Sequence, residues 1–160
     1  MLGQAAGYAT AALGYLATAG GKPLLVKEIA DACAIPGPYL GKIVNTLRRV
    51  GLVQTQRGVG GGVTLARHPQ EISLYTIAEL LKDPICNRRC MLGTAECSEE
   101  RACPAHRFWS EHREHTLDFL RKTTIADMAA FETRRRTRAL QPRDSRASLR
   151  IEGKPIDRAE

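Results

Sequence analysis

Large rings are scarce in this chain: aromatic residues make up 5% of its 160 residues, and tryptophan occurs once. A core must therefore come from Ala, Leu, Ile and Val at regular spacing, and a hydrophobic content of 43% is enough to build one and to exclude wholesale disorder. Long apolar runs are missing too. No stretch approaches the roughly 20 residues that span a bilayer, and Met1-Leu2-Gly3-Gln4 lacks a basic segment leading into an apolar one, so a cytoplasmic protein with no membrane partner is expected. Acids are outnumbered, 17 Asp and Glu against 24 Lys and Arg, and the resulting formal charge of +7 points toward a polyanionic partner. Also lacking is any arrangement of nucleophile, base and oxyanion donors, so no enzyme is expected. One compact core with appendages suits this length.

What is present begins with helical periodicity. Ala5, Ala9, Ala12, Leu13, Leu16 and Ala17 recur at steps of three and four and predict an amphipathic helix ending before Gly20-Gly21. Past Pro23, the set Val26, Ile29, Ala30 and Cys33 predicts a short second helix. Ile35-Pro36-Gly37-Pro38 stops it, because proline biases its predecessor away from helical geometry. A third helix from Tyr39 to Val50 has Leu40, Ile43, Val44, Leu47 and Val50 on one face, Lys42, Asn45, Arg48 and Arg49 elsewhere, and Gly51 as its C-terminal cap.

Two short helices joined by a tight turn, the second basic on its open face, form the helix-turn-helix pattern, although an ordinary helical hairpin fits them equally well. The following segment separates the two. Residues 52–57 alternate as a strand, Gly58-Val59-Gly60-Gly61-Gly62 turns, and residues 63–66 return, which makes a winged helix. A phosphate-binding loop is excluded, since no helix follows the glycines and no Lys-Ser or Lys-Thr pair does. Glycines at a hairpin tip, Gly60 and Gly61 among them, allow close approach to a nucleic-acid backbone, and Arg57 at the base suits a minor groove. Residues 1–66 carry six Lys or Arg against two acids, Glu28 and Asp31.

Beyond the wing, residues 73–81 predict a short helix with Ser73 or Thr76 as N-cap, ending at Asp83-Pro84. Four of the five cysteines, Cys86, Cys90, Cys97 and Cys103, then fall within a stretch that also reaches His106. In a reducing compartment such clusters are metal ligands or redox sensors more often than disulfides. The intervening residues are too polar to bury unaided, so the order of this loop must come from something bound. Zinc sites favour ligand pairs two to four residues apart, and only Cys86 and Cys90 supply one; an iron-sulfur cluster tolerates the wider spacing of Cys90, Cys97 and Cys103, with zinc the alternative. Cys33 stands apart and suits a small apolar space.

Pro104 is expected as the first residue of a long helix reaching about Lys122. Ala105, Phe108, Trp109, His112, Thr116, Phe119 and Leu120 form a stripe with a period of about 3.5, the spacing of helices packed lengthwise; it could cover its own domain, but a small winged-helix unit leaves little surface for so long a stripe, and a homodimer is expected. Thr124 and Asp127 cap a short helix through Phe131. After it, Arg134, Arg135, Arg136, Arg138, Arg143, Arg146 and Arg150 stand in a segment read as a disordered basic tail adding unspecific attraction to DNA.

Val26-Lys27-Glu28-Ile29-Ala30, Leu47-Arg48-Arg49-Val50-Gly51-Leu52-Val53, Arg57-Gly58-Val59-Gly60-Gly61-Gly62-Val63 and three spaced cysteines before a long helix together resemble the Rrf-two family of bacterial winged-helix transcription regulators, including its iron-sulfur members of the IscR and NsrR type. The resemblance covers about residues 1–131. It implies a homodimeric repressor or activator acting on double-stranded promoter DNA, in which Cys90, Cys97 and Cys103 hold an iron-sulfur cluster that responds to nitric oxide, redox state or iron supply. His106 matches the fourth ligand of members with a 2Fe-2S cluster, whereas the cysteine spacing is similar to that of 4Fe-4S members; Cys86 is a further candidate. The N-terminal carboxylate ligand of some members is not matched, since Gly7 and Tyr8 stand there. Tyr39, Lys42 and Asn45 are expected in the major groove, Arg48 on phosphate and Arg57 in or near the minor groove.

The expected organisation is mainly α with a small β-hairpin wing: a winged helix-turn-helix over 1–83, a cluster-binding loop over 84–103, a dimerisation helix and a short following helix over 104–131, and a basic tail over 132–160. Alternatives from other classes are a zinc- or thiol-based DNA-binding regulator and a small iron-sulfur electron-transfer or carrier protein.

Overall fold

Helix α1, Gln4–Ala17, buries Ala9, Leu13 and Leu16 along one stripe, and the helix-turn-helix packs against it. That motif consists of α2, Val26–Cys33, and α3, Gly37–Arg49. The computed structural model describes residues 1–93, 96–101 and 103–140. Helix α3 starts two residues earlier than its apolar period suggests, because Pro36 serves as N-cap and Pro38 sits in the first turn, where a missing N–H costs nothing. It ends as expected, with Gly51 at φ +71° just past the last turn.

Strands β1, Val53–Gln56, and β2, Gly62–Leu65, pair antiparallel with Val53 opposite Leu65 and Gln56 opposite Gly62. Leu24 adds a short third edge: its N–H donates to the Val63 carbonyl at 3.1 Å and its carbonyl accepts from the Val63 N–H at 2.8 Å. This crowding explains the end of the glycine run. A Cβ on Gly62 would sit 2.7 Å from the Leu24 oxygen, and one on Gly61 would collide with the Gln56 carbonyl.

Helix α4, Leu74–Leu80, is capped by Ser73, whose hydroxyl accepts from the Thr76 N–H at 3.1 Å. Thr76 is therefore inside the helix and not its cap, and Glu79 accepts from the Tyr75 hydroxyl at 3.2 Å. Helix α5 spans His106–Lys122. Pro104 precedes it instead of opening it: the His106 N–H closes a turn onto the Cys103 carbonyl at 2.8 Å, and that turn holds Pro104 and Ala105 outside the helix. The junction after α5 is tied to the start of α4, with Leu74 N–H on the Thr123 carbonyl and Ile125 N–H on the Ile72 carbonyl, both at 2.9 Å.

Helix α6 runs from Ile125 to Leu140, well past the Phe131 limit expected from the apolar pattern. Asp127 caps it as foreseen, accepting from the Thr124 N–H and hydroxyl at 2.8 Å. Its continuation is supported by one tertiary contact that an arginine run does not reveal, the Arg136 guanidinium 4.1 Å from the centre of the Tyr15 ring, and by a local pair within the helix, Glu132 with Arg135 at 2.9 Å. The basic segment is thus helical through residue 140; Arg143, Arg146 and Arg150 lie outside the described residues.

Leu13, Ile29, Leu40, Leu47, Leu52, Ile72, Ile77 and Ile125 are fully buried and belong to one apolar cluster that Leu117 and Leu120 of α5 join. Each such side chain contributes roughly 1.5–3 kcal/mol by leaving water. Among the described residues no helix is long and apolar enough to cross a membrane.

Candidate functional site

The recognition surface follows from the packing of α3. Leu40, Ile43, Val44 and Leu47 point into the core, so Lys42, Asn45 and Arg48 are left exposed on the outer face. Tyr39 is half-buried in the first turn, where its ring meets Tyr8 of α1 edge-on at 5.6 Å. Arg57 and Gly60 are exposed at the wing and Gly61 is half-buried. Among the described residues none of Lys42, Arg48 and Arg57 is ion-paired, so each keeps its charge free for a polyanion.

The cysteine stretch folds as a strapped loop on α5. Arg89 and Glu96 bridge its arms, and the Cys97 N–H donates to the Arg88 carbonyl at 2.9 Å. Trp109 of α5 donates its indole N–H to the Arg89 carbonyl at 2.8 Å, and Arg113 reaches the Cys86 carbonyl at 3.3 Å. Cys97 Sγ lies 3.3 Å from His106 Nδ1, beside a cavity of about 280 Å³ lined also by Arg88, Trp109 and Arg113. Cys86, Cys90, Cys97 and Cys103 are all half-buried.

The structure therefore brings Cys97 and His106 together. It does not gather the proposed set: among the described residues no three His, Cys, Asp or Glu side chains stand as a metal-ligand group. In kind the donors suit iron-sulfur or zinc, since the thiols of one loop are followed by an imidazole at the start of α5. Burial, then the negative charges of Asp83 and Glu79, push the Cys86 thiol up, against a smaller opposing effect of Arg113. Of the two candidates for a fourth donor, His106 is the one whose ring lies against Cys97. Cys33 lies against the core with Sγ 3.7 Å from the Ala11 carbonyl, and burial followed by Glu132 raises its pKa.

Two fixings escaped the sequence reading. Trp109 and Arg113 tie the loop to α5 through backbone carbonyls, which leave no trace in a sequence; the one signal was a single tryptophan three residues past His106. Asp83, only 4% exposed, accepts from the Gly3 N–H at 2.7 Å and the Ile85 N–H at 3.0 Å, joining the start of α1 to the start of the loop. A side chain on Gly3 would crowd it, with Cβ 2.9 Å from the carboxylate.

The α5 stripe divides. Leu120 is buried, Trp109 and Thr116 are half-buried, and Phe108 and Phe119 stay 63% and 59% exposed.

The Rrf2 (Rrf-two) family, described as an iron-dependent transcriptional regulator, matches residues 2–130. The chain belongs to the Rrf2 family. A protein of Aquifex aeolicus named, by inference, an HTH-type transcriptional regulator is 36% identical over 127 residues, covering 78% of this chain and 88% of the relative. The HTH-type transcriptional regulator IscR of Pectobacterium atrosepticum is 27% identical over 106 residues, 66% of this chain and 64% of that one. Among solved structures, CymR (YrzC), the global cysteine regulator of B. subtilis, superposes with a TM-score of 0.67 at 29% identity, covering 82% of this chain and 97% of that chain. This Rrf2 chain is accordingly a DNA-binding transcriptional regulator with a winged helix-turn-helix fold, and not an enzyme. The electron-carrier alternative falls away with it.

Proposed function

We propose that this Rrf2 chain acts as a homodimer on promoter operators, with its affinity set by an iron-sulfur cluster on Cys90, Cys97 and Cys103, completed by His106 in preference to Cys86. The observation that carries this reading is the 3.3 Å approach of Cys97 to His106 inside a cysteine loop strapped to α5. The cysteine spacing suits a 4Fe-4S cluster and the histidine a 2Fe-2S cluster. Such a group supplies an iron centre that nitric oxide, oxidation or iron shortage alters.

The rest is carried by the chain's own residues. Trp109 and Arg113 transmit the order of the loop to α5, whose exposed Phe108 and Phe119 face the second subunit. Asp83 passes it to the start of α1 through Gly3. The spacing of two recognition helices must match two half-sites, so a small change in their relative placement shifts DNA affinity. Tyr39, Lys42 and Asn45 read the major groove, Arg48 holds phosphate, and Arg57 enters the minor groove while Gly60 and Gly61 let the wing approach closely. Arg57→Ala is expected to weaken specific binding by about 1–3 kcal/mol, measured by fluorescence anisotropy; unchanged affinity and sequence preference would remove Arg57 from the interface.

Anaerobic purification followed by an absorption spectrum and native mass spectrometry tests the cluster and the dimer together. Visible charge-transfer bands and a dimer mass carrying iron and sulfide are expected. A second reading, a thiol-based switch, is favoured by the Cys97–His106 contact, which needs no third donor; a colourless protein whose DNA affinity changes with thiol oxidation would establish it. A colourless protein that contains zinc would instead put zinc on the same donors.

A further inference from the structure

Helix α6 carries four arginines that the recognition motif does not use. Arg134, Arg135, Arg136 and Arg138 follow Glu132, and residues 133–140 contain no acid. At about 100° per residue, Met128, Glu132 and Arg136 share one face, and that face is anchored. A Cβ on Gly14 would lie 3.0 Å from Met128, and Arg136 covers Tyr15. Arg135 falls beside Met128 on the wheel and is paired with Glu132 at 2.9 Å, whereas Arg134 and Arg138 fall together on a different side, within an arc of about 40°, and both are exposed. The acid that shares this arc, Asp127, lies some two turns earlier and is engaged by Thr124.

The direction of α6 places these charges. Its neighbours step from Gly14, beside Met128, to Cys33, close enough to Glu132 to feel its charge, and the Cys33 thiol lies against the carbonyl of Ala11. Helix α6 thus runs antiparallel to α1, and its arginine end advances toward Tyr8. Tyr8 meets Tyr39 in the first turn of α3. The basic end of α6 and the leading end of the recognition helix therefore lie toward the same side of the domain.

We propose that Arg134 and Arg138 form a second, sequence-independent contact with DNA, holding backbone phosphates beside the half-site that α3 reads. This rests on the DNA-binding reading above. Guanidinium forks match phosphate oxygens, and mounting them on a folded helix removes most of the ordering cost that a loose tail would incur. Arg135, Arg136 and Glu132 serve as the mount and make no contact with DNA.

The test is the salt dependence of binding, measured by anisotropy on a labelled duplex selected by the protein from a random pool and on a scrambled duplex. Each lost phosphate contact lowers the slope of log K against log salt by about 0.9. The double variant Arg134→Ala, Arg138→Ala is expected to lower the slope by about 2 per subunit, equally on both duplexes, with sequence preference retained. The corresponding double lysine variant should keep most of the slope, which separates charge from helix damage; circular dichroism confirms that α6 persists. Wild-type slope and affinity in a folded alanine variant overturn the proposal while leaving DNA binding through α3 intact. A wild-type protein that retards neither duplex at low salt overturns the DNA-binding reading and this contact with it.

Discussion

The helix-turn-helix with its wing and the cysteine loop are held by opposite means. The former closes over Leu13, Ile29, Leu40, Leu47, Leu52 and Val63, so its order is generated by its own apolar side chains. The latter has no buried hydrophobic residue between Pro84 and Cys103 among those described, and is kept in place by hydrogen bonds to backbone carbonyls from Trp109 and Arg113. One region is ordered by a buried core; the other borrows its order from a neighbour. A switch of the proposed kind would need this division, because its sensing element would have to change state without unfolding the element that reads DNA.

Substitutions sharpen the contrast. Leu40→Ala, at a site with 0% exposure, should cost about 2–5 kcal/mol of stability in urea unfolding. Cys97→Ser in the cluster-free protein should change it by less than about 0.5 kcal/mol; a large loss there would show the loop to be part of the core. Asp83→Ala attacks the seam between the regions. It leaves the N–H groups of Gly3 and Ile85 without their carboxylate, for an expected loss of about 1–3 kcal/mol, and faster amide exchange should appear at both α1's start and the loop. Trp109→Phe removes a single strap, worth about 1 kcal/mol. Its signature should be faster proteolysis after Arg88 and Arg89, with the melting of the winged domain unchanged.

The smallest effect is one of pH. The Thr124 N–H and hydroxyl hold the Asp127 carboxyl below its ordinary range. A depressed carboxyl stabilises the fold above its unfolded pKa, and that contribution disappears as pH falls through the lower folded value. The difference in melting temperature between the wild type and Asp127→Asn should therefore shrink on acidification. A constant difference would mean that the cap acts through its hydrogen bonds alone and not through its charge.

Legibility followed the same division. Helices α2 and α3 and the wing could be read because periodic Leu, Ile and Val record which face is buried, and because Gly51 marks a turn that a side chain resists. Boundaries slipped where proline served as a cap instead of a stop, as at Pro36, and where two capping residues competed, as at Ser73 and Thr76. The far half of α6 was illegible for a different reason. Residues 133–138 carry no apolar period, and Arg136 rests on Tyr15, a partner that only the folded chain brings near. The cysteines announced donor chemistry, yet their strapping to α5 uses backbone oxygens that any sequence would supply.

The pairing of α1 with α6 has a consequence for the birth of the molecule. Helix α1 ends at Ala17 and α6 begins at Ile125. At about 5–20 residues per second on the ribosome, the face of α1 around Gly14 and Tyr15 waits on the order of ten seconds for its cover. During that interval the nascent winged domain can fold around its own core but carries one bare helix flank, a transient surface for chaperones, and one that a stalled or truncated chain would never hide.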